Sequence, residues 1–534
     1  MRRIASRSFG VQAGLITAVM AVLAGGVCAA ARPSGALRPL PNGSAAAVSA
    51  PAAERAPAAS SAGAGLESSL ADKIDRLVRD PALAKMRIGL RIERLSPQPR
   101  LVYEHNSRAL FTPASNQKLL VASAAVCLLP PDFRYRTILG RRSKDLVIIG
   151  AGDPGFGDPK LAKQSSQTIT GVFRGWADKL KAAGVTRIDG DLVFDDFIFD
   201  QQHIHPKWPA MFNLQDWYTA PIGGLNFNDN CVDVVVARGK AVGEPAAVTL
   251  IPSTPYCVVQ NRAVTAGKGE PAISRSGNGP LTISVSGQVS RSGSADGGVS
   301  IPIVDPGMFF ASAARTVLAG QGIEIAGQTR RQQVRGPDGV LPAGFDVLAV
   351  HEQGLPPLLV RMNTNSLNVC AEAMLKTLGA YSREGKPAQQ GSLATGRAAV
   401  GRFLDSLGLT DDLYVLDDGS GLSRDNRTAP IVFTTILRHM DAHPQREMWG
   451  NSLAEAGEPE GSLKRRMKDL RGKVFGKTGH INSVSTLSGY AIGPRGQRYC
   501  FSILCNDTYR AKGGTSSAHT MQDSICRLLT TWDQ

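Results

Sequence analysis

The chain has 534 residues, 43% hydrophobic and 20% charged, which is enough to bury a large core over two to four domains and too apolar for a disordered protein. Its formal net charge of +15 would suit nucleic acid, but the N-terminus carries the marks of export, so no nucleic-acid partner is expected. Eight cysteines without a single CxxC exclude a disulfide scaffold or a zinc ribbon.

In chain order, residues 1–31 read as an export signal. Arg2, Arg3 and Arg7 precede the apolar run "VQAGLITAVMAVLAGGV", and small residues near Ala29 to Ala31 offer a cleavage site. Cys28 has no lipobox before it, and Arg2-Arg3 lacks the rest of a twin-arginine pattern. Cleavage would place the mature protein in the periplasm with a formal charge of +12, compatible with peripheral association with anionic wall polymer or lipid head groups. No other stretch is long and apolar enough to span a membrane. Residues 32–66, rich in Ala, Pro, Ser and Gly, read as a flexible tether, with folded structure starting near Leu66.

"LESSLADKIDRLVRD" has helical spacing, and "RIGLRIERL" and "RLVYEHN" alternate as a strand pair. After Pro130-Pro131 come a strand and turn ("DLVIIGAGDPGF"), a helix ("GVFRGWADKLKAAGV") and a strand ("TRIDGDLVFDD"). "LTISVSG" and "VSIPIV" alternate, and "MFFASAARTVLAGQG" is helical. "KAAGVTRIDGDL" and "LAGQGIEIAGQT" echo each other as helix end, glycine, short strand, glycine, which hints at an internal repeat. Helical patterns return from about residue 350 ("LPPLLVRMN", "VCAEAMLKTLGAY", "TGRAAVGRFLDSLG"). Three strands ("VFGKTGHI", "STLSGYAIG", "RYCFSILCND") and a helix close the chain. The pattern is α+β with a large insertion after residue ~138.

Three short motifs carry chemistry. In "FTPASNQKLL", Thr112 can cap a helix whose first position is Pro113, and Ser115 and Lys118 stand one turn apart on it. The run that follows is apolar on all sides, so the helix should be buried. Burial and a second cation lower a lysine pKa, which lets a neutral Lys118 take the proton of Ser115. In "NTNSLN", Ser366 and Asn368 are two apart in a turn between helices. In "FGKTGHI", Lys477 and Thr478 can hold a carboxylate, while Gly479 lets a substrate backbone approach the strand. Any one of these occurs by chance. The ordered triplet SxxK, SxN, KTG is the signature of serine enzymes that recognise penicillin.

With these motifs, and with "GDLVFDDFIFD", "APIGGLNFNDN", "DDGSGLSRDN" and "LSGYA" around them, the sequence resembles the class C low-molecular-mass penicillin-binding proteins, which are D-alanyl-D-alanine carboxypeptidase/endopeptidases. The resemblance implies an α+β fold of the transpeptidase/β-lactamase kind, a five-stranded sheet flanked by helices and interrupted by β-rich inserts. It places the catalytic domain at 67–138 and 350–534 and the inserts at 139–349. It implies Ser115 as nucleophile, Lys118 as base, Ser366 as proton relay and Asn368 positioning the substrate amide. It implies Lys477 supplying positive potential, Thr478 binding the carboxylate, Gly479 at the strand edge, and the N–H groups of Ser115 and His480 as oxyanion hole. Peptidoglycan peptide is then the substrate, β-lactams the inhibitors, and no cofactor is needed.

Two positions depart from the family pattern: His480 stands where Thr or Ser often follows KTG, and Glu460-Gly461-Ser462-Leu463 replaces an Asp-Gly-Thr-Leu pattern. A β-lactamase or esterase on the same scaffold, or a non-catalytic wall-binding protein, are the rival functions. Other features are given structural roles. His439 and His443 are four apart, but no carboxylate completes an HExxH pattern and Pro444 ends the segment, so no metal site is expected. Asp153 and Asp195-Asp196 read as turn caps. Trp217-Tyr218 could line a groove or serve core or hinge. Cys231 and Cys257 are the candidates for a single disulfide, while Cys127 and Cys370 read as core.

Overall fold

In a computed structural model, residues 61–533 are described except 278–279, 291–297 and 337–338; the expected export signal and the tether as far as residue 60 lie outside the described residues. The first helix spans Ser61–Val78, so it begins inside the segment read as tether.

The alternation of "RIGLRIERL" builds the strand Arg87–Arg94, with Ile88, Leu90 and Ile92 buried. One edge pairs with Arg100–His105. The other takes Arg498–Asn506 from the far end of the chain, in register from Arg87 opposite Asn506 to Arg94 opposite Tyr499. Val484–Ile492 and Val474–Ile481 follow as antiparallel neighbours. The sheet has six strands, one more than the resemblance implies, because the two residues Ala454–Glu455 pair at its edge with Gly476 and Phe475. Helices Ser61–Val78 and Thr515–Thr531 cover one face, where Leu70, Ile74, Ile525 and Leu529 pack with Phe501 and Ile503. Pro430–Ala442 lies on the other face.

Beyond that helix lies Lys118–Leu128, buried on every side from Lys118 to Val126. Helices Leu355–Asn363, Asn368–Ala380, Leu393–Ser406 and Pro430–Ala442 surround it. Full burial of Leu119, Leu120 and Val121 is worth roughly 1.5–3 kcal/mol each. This burial holds the helix in one place, and its N-terminus opens beside the sheet.

Between these parts the chain makes an excursion. Arg134–Arg142 and Phe345–Gly354 pair antiparallel at its neck, straddling the expected limits 139 and 349. They belong to a second, mixed five-stranded sheet, accompanied by two three-stranded sheets and by helices Gly171–Ala182 and Pro306–Gly320. Its core is aromatic: Phe156, Phe173, Trp176, Phe227 and Phe310 meet edge-on or tilted. The sequence echo is physical. Each copy runs helix, two-residue strand, glycine, second strand, and the copies lie side by side in parallel, Arg187–Ile188 beside Glu324–Ile325 and Leu192–Asp195 beside Thr329–Arg331. Asp145 Oδ1 accepts the N–H of Asp191, and Asp191 Oδ1 repeats the contact with Gln328, both at 2.8 Å. A Cβ on Gly190 or Gly327 would meet the corresponding aspartate at 2.2 Å, which is why both copies keep glycine there.

The candidate disulfide is not formed. Cys231 and Cys257 are buried free thiols, as are Cys370, Cys500, Cys505 and Cys526, while Cys127 is a half-buried free thiol. No helix among the described residues is long and apolar enough to cross a membrane.

Candidate active site

The turn carrying Ser115 differs from the capped helix start read from the sequence. Residues Ala114–Gln117 form a 3-10 turn with Pro113 at its cap, and Ala114 has φ +45°. Thr112 caps nothing: its N–H and its carbonyl are both held by the side-chain amide of Asn506, at 2.8 and 3.0 Å. Its hydroxyl accepts from Arg427 at 3.3 Å, so tertiary contacts override the local capping preference. The α-helix proper begins at Lys118.

Lys118 is completely buried, and Ser115 half-buried. The ammonium nitrogen makes three contacts: Asn368 Oδ1 at 2.7 Å, the Ser420 carbonyl at 2.7 Å and Ser115 Oγ at 3.2 Å. Burial lowers its pKa to about 8, against the raising pull of Asp418 and Glu372. The two short partners can only accept. A neutral amine has two N–H bonds, and both are used on Asn368 and Ser420, which leaves the lone pair facing Ser115 Oγ. The geometry therefore suits proton transfer from the serine to the lysine.

Asn368 starts the helix Asn368–Ala380, and its Nδ2 donates to the Tyr218 carbonyl at 2.8 Å, which fixes Oδ1 toward Lys118. This gives the Trp217-Tyr218 segment a role through its backbone, with Trp217 half-exposed alongside. Ser366 lies in the turn between two helices with φ +63°, a conformation uncommon for a residue with a side chain. Its Oγ accepts from Lys477 Nζ at 2.9 Å, and Lys477 also donates to the Thr478 carbonyl at 2.7 Å. Lys477 is fully buried. Burial first, then repulsion by Lys118, holds its pKa well below the ordinary lysine value.

Gly479 faces the serine turn. A Cβ there would lie 2.2 Å from Thr486 Oγ1 and 2.9 Å from both the Ser115 amide nitrogen and the Pro113 carbonyl, so only glycine allows the strand to approach. Asn116, with its amide nitrogen toward the strand, donates to the Lys477 carbonyl at 2.8 Å and ties the two elements together. Thr478 is half-buried and His480 exposed. The edge strand Ala454–Glu455 stops short of them, so the outer edge from Lys477 to Ile481 meets no strand among the described residues. Burial and then Arg466 push His519 down to about 4, with His480 adding to the shift.

The structure thus gathers Ser115, Lys118, Ser366, Asn368, Lys477, Thr478, Gly479 and His480 around one cleft. It also adds residues that motif reading passed over. The loop 417–426 folds over the serine turn. Glu372 Oε1 and Oε2 accept the N–H groups of Ser420 and Gly419, at 2.7 and 3.1 Å, which aims the Ser420 carbonyl at Lys118. Burial, then Asp418, raises the Glu372 pKa to about 7. Asp418 holds the loop through the N–H of Gly421 and the indole of Trp208. Gly421 has φ +80°, and a Cβ there would sit 1.8 Å from the Ala114 carbonyl. The signals for these residues were present: Glu372 is one turn after Asn368, and the loop was among the segments matching the family.

Comparison with known proteins decides what this cleft belongs to. The profile of the D-Ala-D-Ala carboxypeptidase 3 (S13) family matches residues 70–531. The chain belongs to that family. The D-alanyl-D-alanine carboxypeptidase of Actinomadura sp. (strain R39) is 31% identical over 482 residues, covering 84% of this chain and 83% of the relative. The crystal structure of penicillin binding protein 4 (dacB) from Haemophilus influenzae superposes with a TM-score of 0.68 at 22% identity, covering 86% of this chain and 99% of that one. A structure of the same protein complexed with a novel β-lactam gives 0.64 at 21%, with the same coverage. This S13 member is a D-alanyl-D-alanine carboxypeptidase, a hydrolase of the low-molecular-mass penicillin-binding group. Its expected α+β fold, with excursions between two halves of a helix-flanked sheet, is the fold these relatives share.

Proposed function

We propose that this enzyme cleaves the D-Ala-D-Ala bond of peptidoglycan stem peptides through an ester on Ser115, as a carboxypeptidase and as an endopeptidase on cross-links. The observation that carries this reading is the three-way grip on Lys118, which leaves its lone pair on Ser115 Oγ. The peptide lies along the open edge from Lys477 to Ile481, with its terminal carboxylate near Thr478 and the positive potential of Lys477. Ser115 Oγ attacks the penultimate D-Ala carbonyl as its proton passes to Lys118 Nζ. The N–H groups of Ser115 and His480 hold the oxyanion. Ser366, hydrogen-bonded to Lys477, relays a proton to the departing amine, and D-alanine or the cross-linked amine leaves. Water then attacks the ester, returning the Ser115 hydroxyl and releasing the shortened peptide acid.

A β-lactam presents its amide to the same hydroxyl and leaves a slowly hydrolysed ester. The β-lactam complex of the related Haemophilus protein supports this. We place the enzyme in the periplasm, exported by residues 1–31 and spaced by residues 32–66, its mature charge of +12 favouring peripheral contact with anionic wall polymer or lipid. The catalytic domain comprises 67–138 and 350–534, and 139–349 is inserted. The test is D-alanine release by the purified mature protein from an acylated peptide ending in D-Ala-D-Ala. Release from that peptide, and none from its L-Ala-terminated analogue, is expected. No release, together with rapid turnover of penicillin, would instead make the protein a β-lactamase.

A further inference from the structure

The serine helix has a second chemically loaded end. Cys127 lies in the last turn of Lys118–Leu128, and across from it the helix Pro430–Ala442 ends with His439 in its last turn and His443 at its cap. The two histidines are one turn apart, with ring centroids 5.8 Å from each other. One ligand atom from each of the three residues lies within 4.8 Å of the others, and all three side chains are half-buried, so an ion can reach them. Cys127 Sγ and His439 Nε2 are 3.6 Å apart. A tetrahedral zinc ion, with a Zn–S bond of about 2.3 Å and a Zn–N bond of about 2.0–2.1 Å, sets its S···N edge at about 3.5–3.6 Å. The thiol and imidazole already stand at that separation.

The sequence showed two of these three residues as a pair. His439 and His443 lacked a third ligand because Cys127 stands 312 residues before His439 and meets it only in the fold. Zinc takes Cys sulfur and His nitrogen in tetrahedral sites, and with three protein ligands the fourth position is left to water. In the metal-free protein the thiol donates to the Met440 thioether at 3.7 Å, a weak bond that is given up easily. His443 Nδ1 accepts the Gln445 N–H at 3.1 Å. Ligation through Nε2 puts a proton on Nδ1 and breaks that bond. Gln445 Oε1, two residues on, is buried without a hydrogen-bond partner and is an acceptor of the right kind for the new N–H.

We propose that Cys127, His439 and His443 bind a zinc(II)-class ion that ties the end of the serine helix to the helix Pro430–Ala442. On binding, the thiol proton passes to solvent as the metal–sulfur bond forms. The ion stays divalent and a water fills the fourth position. The site lies at the opposite end of the helix from Lys118, so the proposal is independent of the peptidase reading.

The test is titration of the metal-free mature protein with cobalt(II), followed by displacement with zinc(II). One equivalent should produce a thiolate-to-cobalt charge-transfer band in the near ultraviolet and the intense visible bands of a four-coordinate ion. Zinc should abolish both and raise the melting temperature. Cys127→Ser should lose the charge-transfer band, and His443→Gln should weaken binding at least tenfold. A cooperative thermal unfolding transition of each metal-free variant reports that it is folded. Absence of binding overturns the proposal, as does cobalt binding without the thiolate band or binding unchanged in both variants.

Discussion

The excursion and the catalytic cleft both bury ionisable groups completely, yet the cleft puts some of them to a use that the excursion's carboxylates do not share. In the excursion they are carboxylates facing partners that donate. Asp153 Oδ1 accepts the N–H of Gly155 at 2.8 Å, Asp195 accepts three backbone N–H groups, and Asp196 is bridged to Arg331. The contacts of Asp153 and Asp195 stitch turns, the role the sequence suggested, whereas Asp196 pairs with the Arg331 guanidinium instead. In the cleft, buried Glu372 and Asp418 also accept backbone N–H groups, but two buried lysines are added, and each reaches a serine hydroxyl, Lys118 to Ser115 and Lys477 to Ser366. A hydroxyl can give up its proton and a backbone amide cannot. Burial alone therefore does not mark catalysis; the partner of the buried group does.

The contrast can be broken most sharply at Lys118. Lys118→Met should lower acylation by a factor of ~10²–10⁴, the usual span for a general base. It should also lower the melting temperature modestly, because Asn368 Oδ1 and the Ser420 carbonyl lose their buried donor. A methionine variant that melts lower and acylates normally would assign Lys118 to the fold. In the wild type the neutral amine is the working form, so the acylation rate should rise as pH climbs through about 8 and level off above it. An inflexion near the ordinary 10.5 would contradict the tuning by burial.

Gly421→Ala comes next. At φ +80°, with a Cβ meeting the Ala114 carbonyl, the substitution should shift the serine turn and lower acylation ~10²-fold, the cost of about 1 Å of misplacement. Glu372→Gln keeps the shape but presents a donor to one of two N–H groups. The Ser420 carbonyl loosens, and acylation should fall roughly tenfold, near the worth of one hydrogen bond to a charged group, about 1.5 kcal/mol. Asp195→Ala should have the smallest effect on rate, namely none. It should cost about 1–3 kcal/mol of stability by orphaning buried amides, read from denaturant unfolding. A slowed acylation in that variant, with stability intact, would join the excursion to the chemistry.

Much of the site was legible because each motif is a local pattern that fixes its own turn, helix or strand. Ser115 and Lys118 needed one helical turn, Ser366 and Asn368 a tight turn, and Lys477 to Gly479 a strand. The internal echo was legible too, and became paired strands. What stayed hidden was set by contacts between distant segments. Asn506 holds the backbone of Thr112 and Arg427 donates to its hydroxyl, which leaves no helix cap there. Ser420 aims its carbonyl only because Glu372 lies across from it, and Cys127 meets His439 only in the fold. The sixth strand of the sheet is two residues long, too short to carry an alternation pattern.

The central claim is that Ser115 is the nucleophile that Lys118 activates. Its most direct test is incubation of the purified mature protein with a fluorescent penicillin, beside Ser115→Ala, followed by a denaturing gel. The account predicts a stable labelled band in the wild type and none in the variant. Equal labelling of the two, or no label on the folded wild type, would contradict it.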